Sequence, residues 1–139
     1  MFNHRSSFPR LAAGFAVACA LAAVAAPAFA ATPAQLLDGY RAQAGGAPDP
    51  ARGQRFFSDR HGQEWACATC HGTPPTQPGK HATTAKAIRP LAPAFDADRF
   101  TDPTKVEKWF RRNCNDVVGR ECSAAEKADL LSWLISLKP

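Results

Sequence analysis

Cys67-Ala68-Thr69-Cys70-His71 is the stretch of this chain with the most chemistry in it. Two thiols one short turn apart can add to the two vinyl groups of one porphyrin, leaving the adjacent imidazole beneath the iron. The spacing therefore predicts a covalent c-type haem, with Cys67 and Cys70 as thioether links and His71 as the proximal iron ligand. It occurs once, which predicts one haem. C-x-x-C also opens thioredoxin-type redox sites and half-sites for zinc. The first needs a βαβ context that this pattern lacks. The second would take Cys67, Cys70, His71 and one more ligand, and spacing alone leaves it open.

What could occupy the far side of the iron depends on how much of the chain survives export. Arg5 and Arg10 precede an uncharged apolar run from Leu11 to Ala26, and Ala28-Phe29-Ala30 follows Pro27. That is the pattern of a secretory signal, so residues 1–30 are expected to be removed after Ala30 and residues 31–139 to reach the periplasm as one domain. A retained anchor is the rival, because the run approaches spanning length. Cleavage removes two arginines, Cys19 and the single methionine, Met1, and leaves 15 basic against 12 acidic side chains. That mild positive charge suits an acidic protein partner better than nucleic acid, and nothing left would insert stably in a membrane. The four remaining cysteines are Cys67, Cys70, Cys114 and Cys122, two for haem and two left to pair in an oxidising compartment. Only His61 and His81 remain as further histidines. His61 lies just before the haem motif on the proximal approach. His81 sits in a loop from which it could reach the distal face.

The elements that must position these groups read as helices. Thr32-Pro33 and Asp49-Pro50 are cap-plus-proline starts. The first opens a helix with Leu36, Leu37 and Tyr40 on its apolar stripe, ending at Gly45-Gly46. The second carries Phe56 and Phe57 as a buried aromatic face and delivers the chain to the haem motif. From Gly72 to Pro93, proline, glycine and threonine argue against regular structure, and no strand is convincing anywhere. Lys80, Lys86 and Arg89 in that span form either a solvated basic loop or a docking surface. After Asp102-Pro103, residues Val106, Trp109, Phe110 and Asn113 share one helical face. Asn113 on that face is either a distal iron ligand or a helix C-cap. Asn115, about 200° further round, faces away. Cys114 and Cys122 flank a short segment, and their pairing would staple the end of this helix. Ser123-Ala124-Ala125-Glu126 is a capping box opening a last helix that buries Leu130, Leu131, Trp133, Leu134 and Leu137. The expected architecture is all-α, four or five short helices around one haem, in the layout of a class I cytochrome c.

The run Asn113-Cys114-Asn115-Asp116-Val117-Val118-Gly119-Arg120-Glu121-Cys122 resembles the distal segment of the sphaeroides haem protein family, small class I-like monohaem cytochromes. The likeness continues through Pro90-Leu91-Ala92-Pro93, Arg99 to Asp102, Lys105 to Trp109 and Glu126 to Leu131, so it spans most of the exported chain. It implies that Asn113 is the distal iron ligand and that Cys114 and Cys122 form a disulfide. It also implies that the asparagine leaves on reduction, opening a site for dioxygen, nitric oxide or carbon monoxide. The redox partner it implies is a dihaem cytochrome c, often with a membrane cytochrome b. The stretch from Thr73 to Lys80 holds more prolines than the resemblance leads one to expect, which bears on the partner surface.

An amide oxygen is a hard, weak, neutral donor that suits Fe(III) better than Fe(II), so redox-linked release is intelligible from chemistry alone. Three functions follow from these residues: a ligand-binding electron carrier gated by Asn113, a permanently six-coordinate carrier using His81, and an enzyme reducing oxygen or nitric oxide. The sequence offers no distal acid or base for the third. Arg89, Arg99, Lys86 and Arg111 are the candidates to meet the haem propionates.

Overall fold

Caps decide where each long helix begins. In the computed structural model, which describes Met1 and residues 30–139, the Thr32 hydroxyl accepts from the Gln35 amide and the Gln35 side chain accepts from the Thr32 amide, opening α1, Pro33–Ala44. Asp49 accepts from the amides of Ala51 and Arg52 to open α2, Pro50–Ser58. Asp102 caps α4, Pro103–Val118, and the Ser123–Glu126 box caps α5, Ala124–Ser136. Proline follows the cap in α1, α2 and α4, where its missing N–H costs nothing. Between α2 and α4 lie α3, Cys67–His71, and an antiparallel pair of two-residue strands, β1, Gly79–Lys80, and β2, Ala87–Ile88. But for its two end residues, the expected leader lies outside the described residues. No helix among those described is long and apolar enough to cross a membrane.

Helix α5 is the axis on which α1 and α2 both pack. One side of it builds a cluster of Phe57, Leu130, Trp133 and Leu134, and the other a cluster of Tyr40, Ala128 and Leu131. Phe100 and Phe110 touch both. Phe57, Leu131 and Leu134 are fully buried, each worth roughly 1.5–3 kcal/mol as area removed from water. The α2–α5 crossing is close because residue 53 is glycine: a Cβ there would stand 2.1 Å from the Asp129 carbonyl oxygen. A polar strut locks the same crossing. Buried Asp129 accepts from the Asp49 amide (2.7 Å) and from both Nε and Nη2 of Arg52. A second strut joins α1, α4 and α5, where the Tyr40 hydroxyl and Lys127 Nζ both donate to Glu107.

Three sequence expectations change. The span from Gly72 to Pro93 does contain strands, paired Gly79 to Ile88 and Lys80 to Ala87. At two residues each they are too short to leave a period-two signal. Only Phe57 of the two aromatics enters the core; Phe56 is half-buried and stacks on His61 with ring centroids 4.4 Å apart. Trp109, placed by periodicity on the buried face of α4, is 45% exposed, with the Arg112 guanidinium 5.7 Å from its ring centre. It sits about 60° round the helix from buried Val106, at the edge of the apolar stripe.

Candidate haem and ligand site

The five-residue helix α3 carries Cys67, Cys70 and His71 on little more than one turn, with Ala66 buried at its start. The Ala66 amide donates to the Thr69 hydroxyl (3.0 Å), which fixes the entry to the turn. Cys67 and Cys70 are both half-buried and take no part in a disulfide. Before haem attaches, burial, reinforced by the charge of Cys70, pushes the Cys67 thiol up to about 11. His71 is pushed down to about 4, first by burial and then by the positive charge of Arg99, and so is a neutral imidazole. The Phe57 ring stands 6.3 Å from that imidazole, centroid to centroid, and is itself backed by Trp133 at 5.0 Å. Two cysteines beside one neutral, aromatic-backed imidazole are the donor set that a covalent haem requires. The zinc reading fares worse, because among the described residues no three His, Cys, Asp or Glu side chains are placed to hold one ion.

The hairpin lies against the outer side of α3. A Cβ on Gly79 would come within 2.1 Å of the Cys70 carbonyl oxygen, and the Ala82 amide points at Cys70 Sγ (3.4 Å). His81 belongs to this strap: its Nδ1 accepts from the amides of Thr83 and Thr84, both at 3.3 Å. The strap therefore keeps His81 beside Cys70 and commits one ring nitrogen to the local turn. His61 is also engaged, its Nε2 2.8 Å from the Phe56 carbonyl oxygen at the end of α2.

Asn113 lies on α4 about 20° round from Val106, on the side of the helix that elsewhere faces the core. Val106 is buried and Val117 half-buried on this line, yet Asn113 is exposed. It is no C-cap, because α4 runs on to Val118 and ends at Gly119, in the left-handed conformation (φ +75°). Asn115 turns its amide back onto the helix, donating to the Arg111 carbonyl at 2.7 Å. Cys114, buried, is joined by a disulfide to buried Cys122, Cα to Cα 5.7 Å. The backbone beside Asn113 is thus tied to the start of α5.

Of the cations considered for the propionates, Arg89 is occupied by buried Asp96 and exposed Asp98. Arg111 faces Glu121 at 3.6 Å. Arg99 donates its Nε to the Pro90 carbonyl and its Nη2 to that of Arg89, both at 2.7 Å. Its Nε also lies 3.2 Å from Asp96 Oδ2, but that buried oxygen has no hydrogen bond, because the proton is committed to Pro90. We regard the contact as charge attraction only. What sequence reasoning did not place is the contact of each with His71: Phe57, from the helix that precedes the haem motif, behind its ring, and Arg99, considered only for the propionates, acting on its charge.

Comparison with known proteins gives a consistent picture. A family described as a domain of unknown function (DUF1924) matches residues 43–134. The cytochrome c-type protein SHP of Cereibacter sphaeroides is 50% identical over 119 residues, 81% of this chain and 92% of that protein. The structure of oxidised SHP, an oxygen-binding cytochrome c, matches with a TM-score of 0.72 at 48% identity, covering 76% of this chain and 97% of that one. A solution structure of cytochrome c'' from Methylophilus methylotrophus, concerned with haem-ligand detachment, matches at 0.68 and 35% identity over 77% of this chain and 94% of that one.

Proposed function

We propose, for a chain that belongs to the sphaeroides haem protein family and is therefore an all-α c-type cytochrome with one covalently bound haem, a role as an exported electron carrier whose reduced form opens to a diatomic ligand. Cys67 and Cys70 would hold the haem through thioether bonds, and neutral His71 would be its proximal ligand. The haem supplies a one-electron couple and one exchangeable coordination position. Phe57 and Trp133 hold the His71 ring in place from behind. Asn113 would hold the oxidised iron through its carboxamide oxygen, a donor that suits ferrous iron less well, so that reduction would leave a position for dioxygen or nitric oxide. The Cys114–Cys122 disulfide keeps the backbone beside Asn113 from drifting while the side chain exchanges.

The observation that carries this reading is Asn113 itself, a carboxamide on the core-facing line of α4 where helical periodicity calls for an apolar residue. Two likenesses support it: SHP binds oxygen, and cytochrome c'' is a subject of haem-ligand detachment. Export rests on the signal-like residues 1–30, with the periplasm as destination and a dihaem cytochrome c, with or without a membrane cytochrome b, as electron partner.

Ferric absorption and electron paramagnetic resonance spectra of Asn113→Ala and His81→Ala test the ligand assignment. Asn113→Ala should alter the ferric signature and His81→Ala should leave it unchanged. The opposite pattern would assign the ligand to His81 and remove the gate.

A further inference from the structure

Helix α4, which carries Asn113, is tied to the rest of the chain on both sides of that residue. After it comes the Cys114–Cys122 disulfide. Before it stands a polar contact between three helices. Lys127 of α5 has only 16% of its side chain exposed, where a lysine is seldom found unless paired. Its Nζ donates to Glu107 Oε2 at 2.7 Å and lies 5.5 Å from the ring centres of both Tyr40 and Phe110. The hydroxyl of Tyr40, from α1, donates to Oε1 of the same carboxylate at 2.5 Å. Tyr40 is buried and meets Phe110 edge to face, with ring centroids 5.8 Å apart. One oxygen of Glu107 is therefore claimed by α1 and the other by α5, and the Phe110 ring of α4 packs against residues of the same two helices.

We propose that Glu107, clamped by Tyr40 and Lys127, is a positioning residue that fixes the rotation of α4 and so aims Asn113 at the iron. The inference rests on the reading of Asn113 as the ferric ligand and says what holds that ligand in place. Glu107, Phe110 and Asn113 follow one another at three-residue intervals, so each adjoins the next along one row of the helix surface. A tether at Cys114 alone leaves the helix free to turn about that end. A second tether at Glu107, on the other side of Asn113, removes that freedom. A neutral amide oxygen is a weak donor, so its hold on iron depends on being delivered in the right place. The Asp129 and Arg52 strut is built from the same chemistry but joins α2 to α5, which makes it an internal control.

The test is imidazole titration of the haem-loaded ferric protein, followed in the Soret band, because added imidazole competes with Asn113 for the iron. Asn113→Ala sets the scale and should raise the apparent imidazole affinity by at least about tenfold. Glu107→Ala, and Tyr40→Phe combined with Lys127→Met, should each raise it about threefold or more, and neither should raise it further in the Asn113→Ala background. Tyr40→Phe alone keeps its ring in the core and so preserves the fold; it should shift the affinity in the same direction. Asp129→Ala, which weakens only the α2–α5 crossing, should leave the affinity native. Native affinity in the strut variants, equal rises with and without Asn113, or a rise of the same size in Asp129→Ala would overturn the assignment. Unchanged affinity in Asn113→Ala would overturn the ligand reading itself, so the two failures give different results.

Discussion

His71 and Asn113 differ in how firmly the chain holds them, and the proposed gate turns on that difference. His71 is half-buried, kept neutral by burial and by Arg99, and wedged against Phe57 with Trp133 behind it. Asn113, on α4, has no such backing among the described residues, and as the proposed ligand it would offer a neutral oxygen that suits ferric iron better than ferrous. Replacing it with a donor that suits both oxidation states should close the gate. Asn113→His is expected to weaken carbon monoxide binding by the reduced protein by at least about tenfold, the effect of about 1.4 kcal/mol of extra ligand affinity. Affinity equal to that of the native protein would show that the residue at 113 does not guard the site. Among structural residues, Asp129 is the most exposed to loss, because its buried carboxylate organises the Asp49 amide and Arg52 together. Asp129→Ala should cost about 1–3 kcal/mol in denaturant unfolding, since Arg52 can rehydrate but the Asp49 amide loses its partner.

At the scale of elements, the disulfide and the helix crossings carry the predictions. The Cys114→Ser, Cys122→Ser double variant should lose about 2.5 kcal/mol of stability, from chain entropy over so short a loop. If the disulfide steadies Asn113, the ferric spectrum of that variant should also change; an unchanged spectrum would confine the bond to stability. Gly53→Ala forces a Cβ into the Asp129 carbonyl and should destabilise by about 1–3 kcal/mol, read as a lowered Tm. Much of this level was legible in the sequence because helix starts are local chemistry. Thr32, Asp49, Asp102 and Ser123 each announce a cap, and the haem motif needs only five consecutive residues. The hairpin was not legible, since two-residue strands leave no pattern and their pairing is set by contact with α3. The exposure of Trp109 and Asn113, the burial of Phe57 rather than Phe56, and the approach of Arg99 to His71 depend on how remote segments pack, which periodicity does not encode.

At the scale of the whole molecule, charge sets the pH range in which the fold persists. The Arg120 side-chain hydrogen bonds pull the Glu126 carboxyl down to about 2 against the opposing effect of burial, with help from the Ser123 amide and hydroxyl. Burial raises Glu107, but the hydrogen bonds from Lys127 and Tyr40 outweigh it and hold that carboxyl below its ordinary value. An unfolded glutamate titrates near about 4.3, so the stability from these ionised groups is complete above that pH and fades as the pH falls toward about 2. The Tm should therefore decline across that window, and Glu126→Gln should flatten the decline; an identical slope would show that this carboxylate does not contribute. In the proposed gate only the Asn113 side chain would change partner with the redox state, so a small cytochrome could both carry an electron and admit a ligand. The most direct measurement is carbon monoxide titration of the native protein, followed in the Soret band in both oxidation states. The reduced protein should bind carbon monoxide and the oxidised protein should not; a reduced protein that stays six-coordinate and refuses carbon monoxide would contradict the gated site.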